Sequence, residues 1–225
     1  MISFLRNGFT NETLLIIVCF LFSILISLSF HEYAHAYVAN KMGDDTAKHL
    51  NRLTLNPLAH LDIIGTISFV LFGFGWAKPV PINPLNFKNY RKGLFLTSIA
   101  GIVTNIFLAF FASGGYVLML KLSAFANTEF FSFVTTFLII FFEELIYINL
   151  GLAVFNLIPI FPLDGYNIIA SFTRHGNGFQ RFMMKYGSII LLVLFLTGFF
   201  DVALTYIVEK ILNPFVAFWG FVGIL

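Results

Sequence analysis

The sequence predicts an all-α protein that crosses a membrane several times, and two observations carry that prediction. Of 225 residues, 59% are hydrophobic and 11% charged, against about 45–50% and about 25% in an average soluble domain. Four apolar stretches are also long enough to cross a bilayer core, which takes about 20 helical residues. Thirteen Lys+Arg and eleven Asp+Glu cannot coat a soluble globule of this size. The composition therefore excludes a soluble enzyme and a disordered chain. The net charge of +2 implies no nucleic-acid or other polyanionic partner. One integral-membrane domain over residues 1–225, embedded in lipid, is expected.

The first span is expected at about residues 13–39. Ala34-His35-Ala36 matches the A-x-A pattern of a signal-peptide cleavage site. Cutting there would split the most chemically loaded segment of the chain, so the run reads as a retained membrane helix. The second span, 94–120, carries no charge at all. The third is expected at 143–162, with Glu143-Glu144 marking its outer boundary rather than the bilayer centre and Phe130–Phe142 either extending that helix or lying at the interface. The fourth is expected at 186–208, with Asp201 inside it, and the apolar tail from Ile211 is short for a crossing. The one cysteine, Cys19, lies in an apolar run, so no intramolecular disulfide can form. Ten of the thirteen basic residues fall in the segments after the first and third spans. By the positive-inside rule those segments are cytoplasmic and the N-terminus faces out.

His31-Glu32-Tyr33-Ala34-His35 is an H-E-x-x-H motif near the cytoplasmic end of the first span. Four residues advance a helix by about 400°, so both imidazoles stand on one face, one turn apart. That spacing lets both bind a single Zn²⁺ while Glu32 reaches the water beside it. Three ionisable groups within five residues of a membrane helix are costly and imply function. A catalytic zinc usually has three protein ligands and an open position. Glu143, Glu144 and Asp201 fall at the wrong depth, and His60 and Asp62 belong to a polar loop. Asp164 lies at the cytoplasmic end of the third span, in Asn156-Leu-Ile-Pro159-Ile-Phe-Pro162-Leu-Asp164-Gly165. The prolines and glycine break the helix there and free backbone that can turn a carboxylate inward. Asp-Gly is equally a common turn dipeptide, so on residues alone Asp164 is either the third ligand or a turn former.

These motifs together carry a resemblance. H-E-x-x-H in a membrane helix, followed by Asn156-x-x-Pro-x-x-Pro-x-Asp164-Gly, resembles the site-2 protease family of intramembrane zinc metalloproteases. The stretches Leu53–Asp62 and Gly75–Asn86 resemble its compact prokaryotic branch without PDZ or CBS modules. The resemblance implies His31, His35 and Asp164 as ligands of one Zn²⁺ per chain and Glu32 as general base and acid. It implies Asn156 as the residue that polarises the scissile carbonyl or steadies the oxyanion. It implies a re-entrant β-hairpin or loop at about residues 61–82, whose edge pairs with an unwound substrate. Regulated hydrolysis of transmembrane substrates in a prokaryotic plasma membrane follows, with entry controlled by the core, a regulatory partner or a homo-oligomer. Two departures stand out. Ala100-Gly101-Ile102-Val103-Thr104-Asn105 lacks the family's proline, and Asp164-Gly165-Tyr166 replaces Asp-Gly-Gly.

Other polar residues have plainer readings. Asn105 is expected to make an interhelix contact and His60 a structural hydrogen bond. No role is assigned to His49 or His175. A divalent-metal transporter would show ionisable residues at successive depths and an internal repeat. The candidates here share one depth. A catalytically inactive scaffold would lack one of the four chemical residues, and all four are present.

Overall fold

A computed structural model describes residues 10–62, 64, 65, 78–174 and 176–222, without the side chains of residues 11 and 200–203. The longest helices are α1 (Asn11–Met42), α3 (Tyr90–Ser123) and α4 (Glu129–Asn156). A single turn, α2 (Thr46–His49), follows α1, and α5 (Asp164–Phe172), α6 (Gly178–Leu196) and α7 (Phe199–Phe221) complete the chain. Among the described residues there is no strand. Among the described residues, four helices are long and apolar enough to cross a membrane: α1, α3, α4 and α6. Most of the segment expected to be re-entrant, and His175, lie outside the described residues, as does the side chain of Asp201.

Four of the helices, α1, α3, α4 and α6, start where a side chain satisfies a free backbone N–H. Thr10, Asn89, Thr128 and Asn177 each cap the helix that follows with a side-chain oxygen. Helix α1 ends at Gly43, whose φ of 113° belongs to the left-handed region. From Asn11 to His31 the axis advances about 30 Å, one hydrocarbon thickness. The motif therefore sits one bilayer thickness from the start of α1.

Two spans differ from the sequence expectation. Helix α4 begins at Glu129, runs unbroken through Glu143-Glu144 and ends at Asn156. Glutamate is a good helix former and does not interrupt it. Pro159 disfavours helical backbone at Ile158, so the helix stops before 162. The fourth stretch is divided: α6 ends at Leu196, Gly198 takes a left-handed φ of 69°, and α7 carries the chain through the tail to Phe221.

Helices α3, α4 and α7 share a core of Ala109, Ala112, Leu145, Ile146, Leu150 and Val208. Helix α1 meets α4 along a polar stripe. Ser23 Oγ donates to the Phe141 carbonyl (3.2 Å), and Asn149 Nδ2 donates to Ser27 Oγ (2.7 Å). Large apolar side chains such as Phe107, Phe111 and Phe133 face outward, where lipid is the solvent.

Candidate metal centre and active site

The site forms where the C-terminal part of α1, the N-terminal part of α3 and the turn after α4 meet. His31 and His35 are one turn apart on α1 and buried, at 5% and 7% exposure. After α4, Pro159 and Pro162 redirect the chain so that α5 starts at Asp164. Gly165 makes this turn feasible, because a Cβ there would lie 2.3 Å from the Leu157 carbonyl oxygen. Asp164 Oδ2 then stands 3.3 Å from His31 Nε2 and 3.2 Å from His35 Nε2, and the two Nε2 atoms are 2.9 Å apart.

A metal fits this triangle. Tetrahedral zinc with bonds of about 2.0–2.1 Å separates its ligands by about 3.3 Å. His35 Nδ1 donates to the Thr97 carbonyl at 2.7 Å, so its Nε2 carries a lone pair. His31 Nδ1 lies 3.2 Å from Asn105 Oδ1, which fixes the same tautomer. Two lone pairs and a carboxylate oxygen thus converge on one point. Asp164 Oδ2 is buried and has no hydrogen-bond partner, which is costly unless a cation satisfies it. Among the described residues, these three form the one group of His, Cys, Asp or Glu able to hold an ion.

Helix α3 supplies the support. Thr97, Gly101 and Asn105 follow at i, i+4 and i+8, so they line one face. A Cβ at Gly101 would lie 2.5 Å from His31 Cε1 and 2.6 Å from His35 Nε2. The imidazoles therefore rest on bare backbone. Asn105 does bridge two helices, as expected of it, but its partner is His31 itself. The orienting roles of Thr97, Gly101 and Asn105 were missed in the sequence. The Ala100–Asn105 motif, with its glycine and asparagine four apart, was the signal that could have found them.

Glu32 lies beside the trio, on a cavity of ≈ 320 Å³ that Asn156, Asn167, Phe87 and Leu94 also line. Its Oε2 accepts the Val80 backbone N–H at 2.7 Å. Asn156 ends α4, and its Nδ2 donates to the Leu152 carbonyl (3.0 Å). All five residues singled out in the sequence, His31, Glu32, His35, Asn156 and Asp164, line this one cavity. His60 is buried away from it, with Nε2 bonded to the Thr54 carbonyl (2.8 Å), a structural contact as expected.

The comparisons with other proteins agree with one another. A protein of Bacillus subtilis (strain 168) with the name "Putative zinc metalloprotease YwhC" is 46% identical over 176 residues, 78% of each chain. No solved structure matches significantly. The family model described as Peptidase family M50 matches residues 19–196, most of the chain and every residue of the site. The chain belongs to peptidase family M50.

Proposed function

We propose that the protein is an intramembrane zinc metalloprotease that hydrolyses peptide bonds in or near the transmembrane segments of membrane proteins. The observation that carries this reading is three ligand atoms within 3.3 Å of one another, with Glu32 alongside, in a bundle of membrane-length helices. His31, His35 and Asp164 would hold the zinc, which would supply a Lewis acid for the scissile carbonyl and lower the pKa of the attacking water. Glu32 takes the proton from that water and delivers it to the leaving amine. Asn156 spends one amide N–H on Leu152. A carboxamide has a second, and that one serves the developing oxyanion.

The distribution of basic residues supports a cytoplasmic position for the site. The segment 61–82 is read as re-entrant, its edge receiving the unwound substrate as an added strand. Residues 1–225 act as one domain in a prokaryotic plasma membrane. Entry is gated by the core, a regulatory partner or a second copy.

Purified in detergent, the protein is expected to hold about one zinc per chain and to cleave a single-span substrate. Glu32→Gln should keep the zinc and lose the cleavage. Cleavage by that variant at the wild-type rate would overturn the mechanism. Zinc flux through proteoliposomes, unaffected by the same substitution, would point to a transporter. The shared depth of the candidate ligands argues against that.

A further inference from the structure

Glu32 is held by a partner that no sequence motif announces. The segment Lys78-Pro79-Val80-Pro81-Ile82-Asn83 runs across the site as a strap, with Val80 buried against Ala36 and Ala47. Pro79 and Pro81 have no N–H, so Val80 carries the one amide donor of the three, and it points at Glu32 Oε2 (2.7 Å). A residue before proline is restricted to extended backbone. Lys78 and Val80 both precede one, which stiffens the strap on either side of that peptide.

The strap is anchored at both ends. The Lys78 N–H donates to the His60 carbonyl (2.9 Å), and the Asn83 N–H donates to Asp44 Oδ2 (2.7 Å). Between these anchors, Arg52 Nη2 donates to the Lys78 carbonyl (2.8 Å) and, more weakly, to the Pro79 carbonyl (3.4 Å). The Pro79 carbonyl and the Val80 N–H belong to one peptide group. That group is gripped from both faces, its oxygen by a guanidinium and its N–H by the Glu32 carboxylate. Arg52 is buried at 9% exposure, and among the described residues no carboxylate pairs with it. A buried cation whose partners are backbone carbonyls, with its Nε left unpaired, is costly. A function for the placed peptide accounts for that cost.

We propose that Arg52 is a positioning residue for the hydrolysis: through the Pro79–Val80 peptide it fixes the Glu32 carboxylate, leaving Oε1 as the oxygen that handles the proton. The cation on the carbonyl also polarises the peptide and strengthens the N–H it presents to Glu32. This inference rests on Glu32 acting as the base, as proposed above.

The test uses the full chain in proteoliposomes and a fluorophore–quencher-labelled single-span helix of leucine and alanine with a central Gly-Ser pair. Arg52→Ala is expected to lower kcat about 10- to 100-fold, the range that misplaced catalytic groups give, with KM and zinc content unchanged. Arg52→Lys, which keeps a cation able to donate to both carbonyls from one nitrogen, should recover most of the loss. Hydrogen exchange gives a readout independent of turnover. A peptide covering 79–82 has exchangeable amides only at Val80 and Ile82, and Val80 should exchange faster in Arg52→Ala.

Unchanged kcat together with unchanged exchange would overturn the proposal. So would a loss of activity that follows a loss of zinc. A rise in kcat would overturn it too, by making the strap an inhibitory lock. If Arg52→Ala does not fold, Val80→Pro removes the N–H that Glu32 accepts and should likewise lower kcat with zinc retained. Glu32→Gln separates the two readings. If it cleaves the labelled helix normally, the proposed mechanism itself fails. If it is inactive while Arg52→Ala is normal, only the role of Arg52 fails.

Discussion

Helix α1 carries two buried polar seams, and they serve different ends. Toward α4 it presents Cys19, Ser23 and Ser27, and toward α3 it presents His31 and His35. In the first seam nearly every polar atom ends on a hydroxyl or a backbone carbonyl. Ser27 Oγ donates to the Ser23 carbonyl and receives Asn149 Nδ2, with the Asn149 Oδ1 atom left unpaired. In the second seam the Nδ1 atoms are spent on α3, while two Nε2 atoms and Asp164 Oδ2 face one another with no proton assigned between them. Burial and polarity are alike in the two seams. Unspent lone pairs converging on one point are what mark a reagent site rather than a helix joint.

The sharpest way to break this distinction is to change the chemistry without the metal. Glu32→Gln should reduce hydrolysis by about 10²–10⁴-fold, the usual contribution of a positioned acid–base group, while elemental analysis finds the zinc retained. Next come the supports on α3. Gly101→Ala places a methyl group in the space of both imidazoles, and Asn105→Ala frees His31 to turn. Each is expected to weaken zinc binding about 10- to 100-fold, measured by competition with a chromophoric chelator. Unaltered zinc affinity in both would mean that α3 merely packs against the motif.

The joint toward α4 should respond differently. Ser27→Ala removes one interhelix hydrogen bond and should cost about 0.6 kcal/mol of stability, seen in denaturation of the detergent-solubilised protein, with zinc content and kcat unmoved. A loss of zinc in that variant would erase the contrast between the seams.

The smallest effect is expected at a third cluster, close to the site yet saturated like the outer joint. Asp44 accepts from the Thr46 hydroxyl and N–H, the Asn83 N–H and Asn86 Nδ2. Burial opposes its charge, but these hydrogen bonds outweigh burial and hold its pKa below 3.8. A carboxylate whose pKa falls on folding contributes stability that is complete above its unfolded value and is lost as the pH drops through the folded one. Acid unfolding of the wild type should therefore steepen below about pH 4. Asp44→Asn should lack that component and behave alike on either side of it.

Much of the site was legible in the sequence because its chemistry needs side chains at fixed spacing. His31 and His35 declare a helical face, and Pro159, Pro162 and Gly165 declare the turn that brings Asp164 to it. The supports were less legible. Thr97 acts through its carbonyl and Gly101 through a missing Cβ, and neither leaves a side-chain signature. Val80 reaches Glu32 across 48 positions by a backbone N–H, a pairing that only the folded strap reveals. The spans were legible in number, and their ends less so. Charge suggested a boundary at Glu143-Glu144, where helix propensity carried α4 through. Apolarity suggested one span at 186–208, where Gly198 divided the chain.

The most direct test of the central claim is a zinc-edge X-ray absorption spectrum of the purified protein, compared with His35→Ala. The account predicts a shell of nitrogen and oxygen donors at about 2.0–2.1 Å, with scattering from two imidazoles in the wild type and from one at most in the variant. Sulfur donors, or an imidazole shell unchanged by the loss of His35, would contradict it.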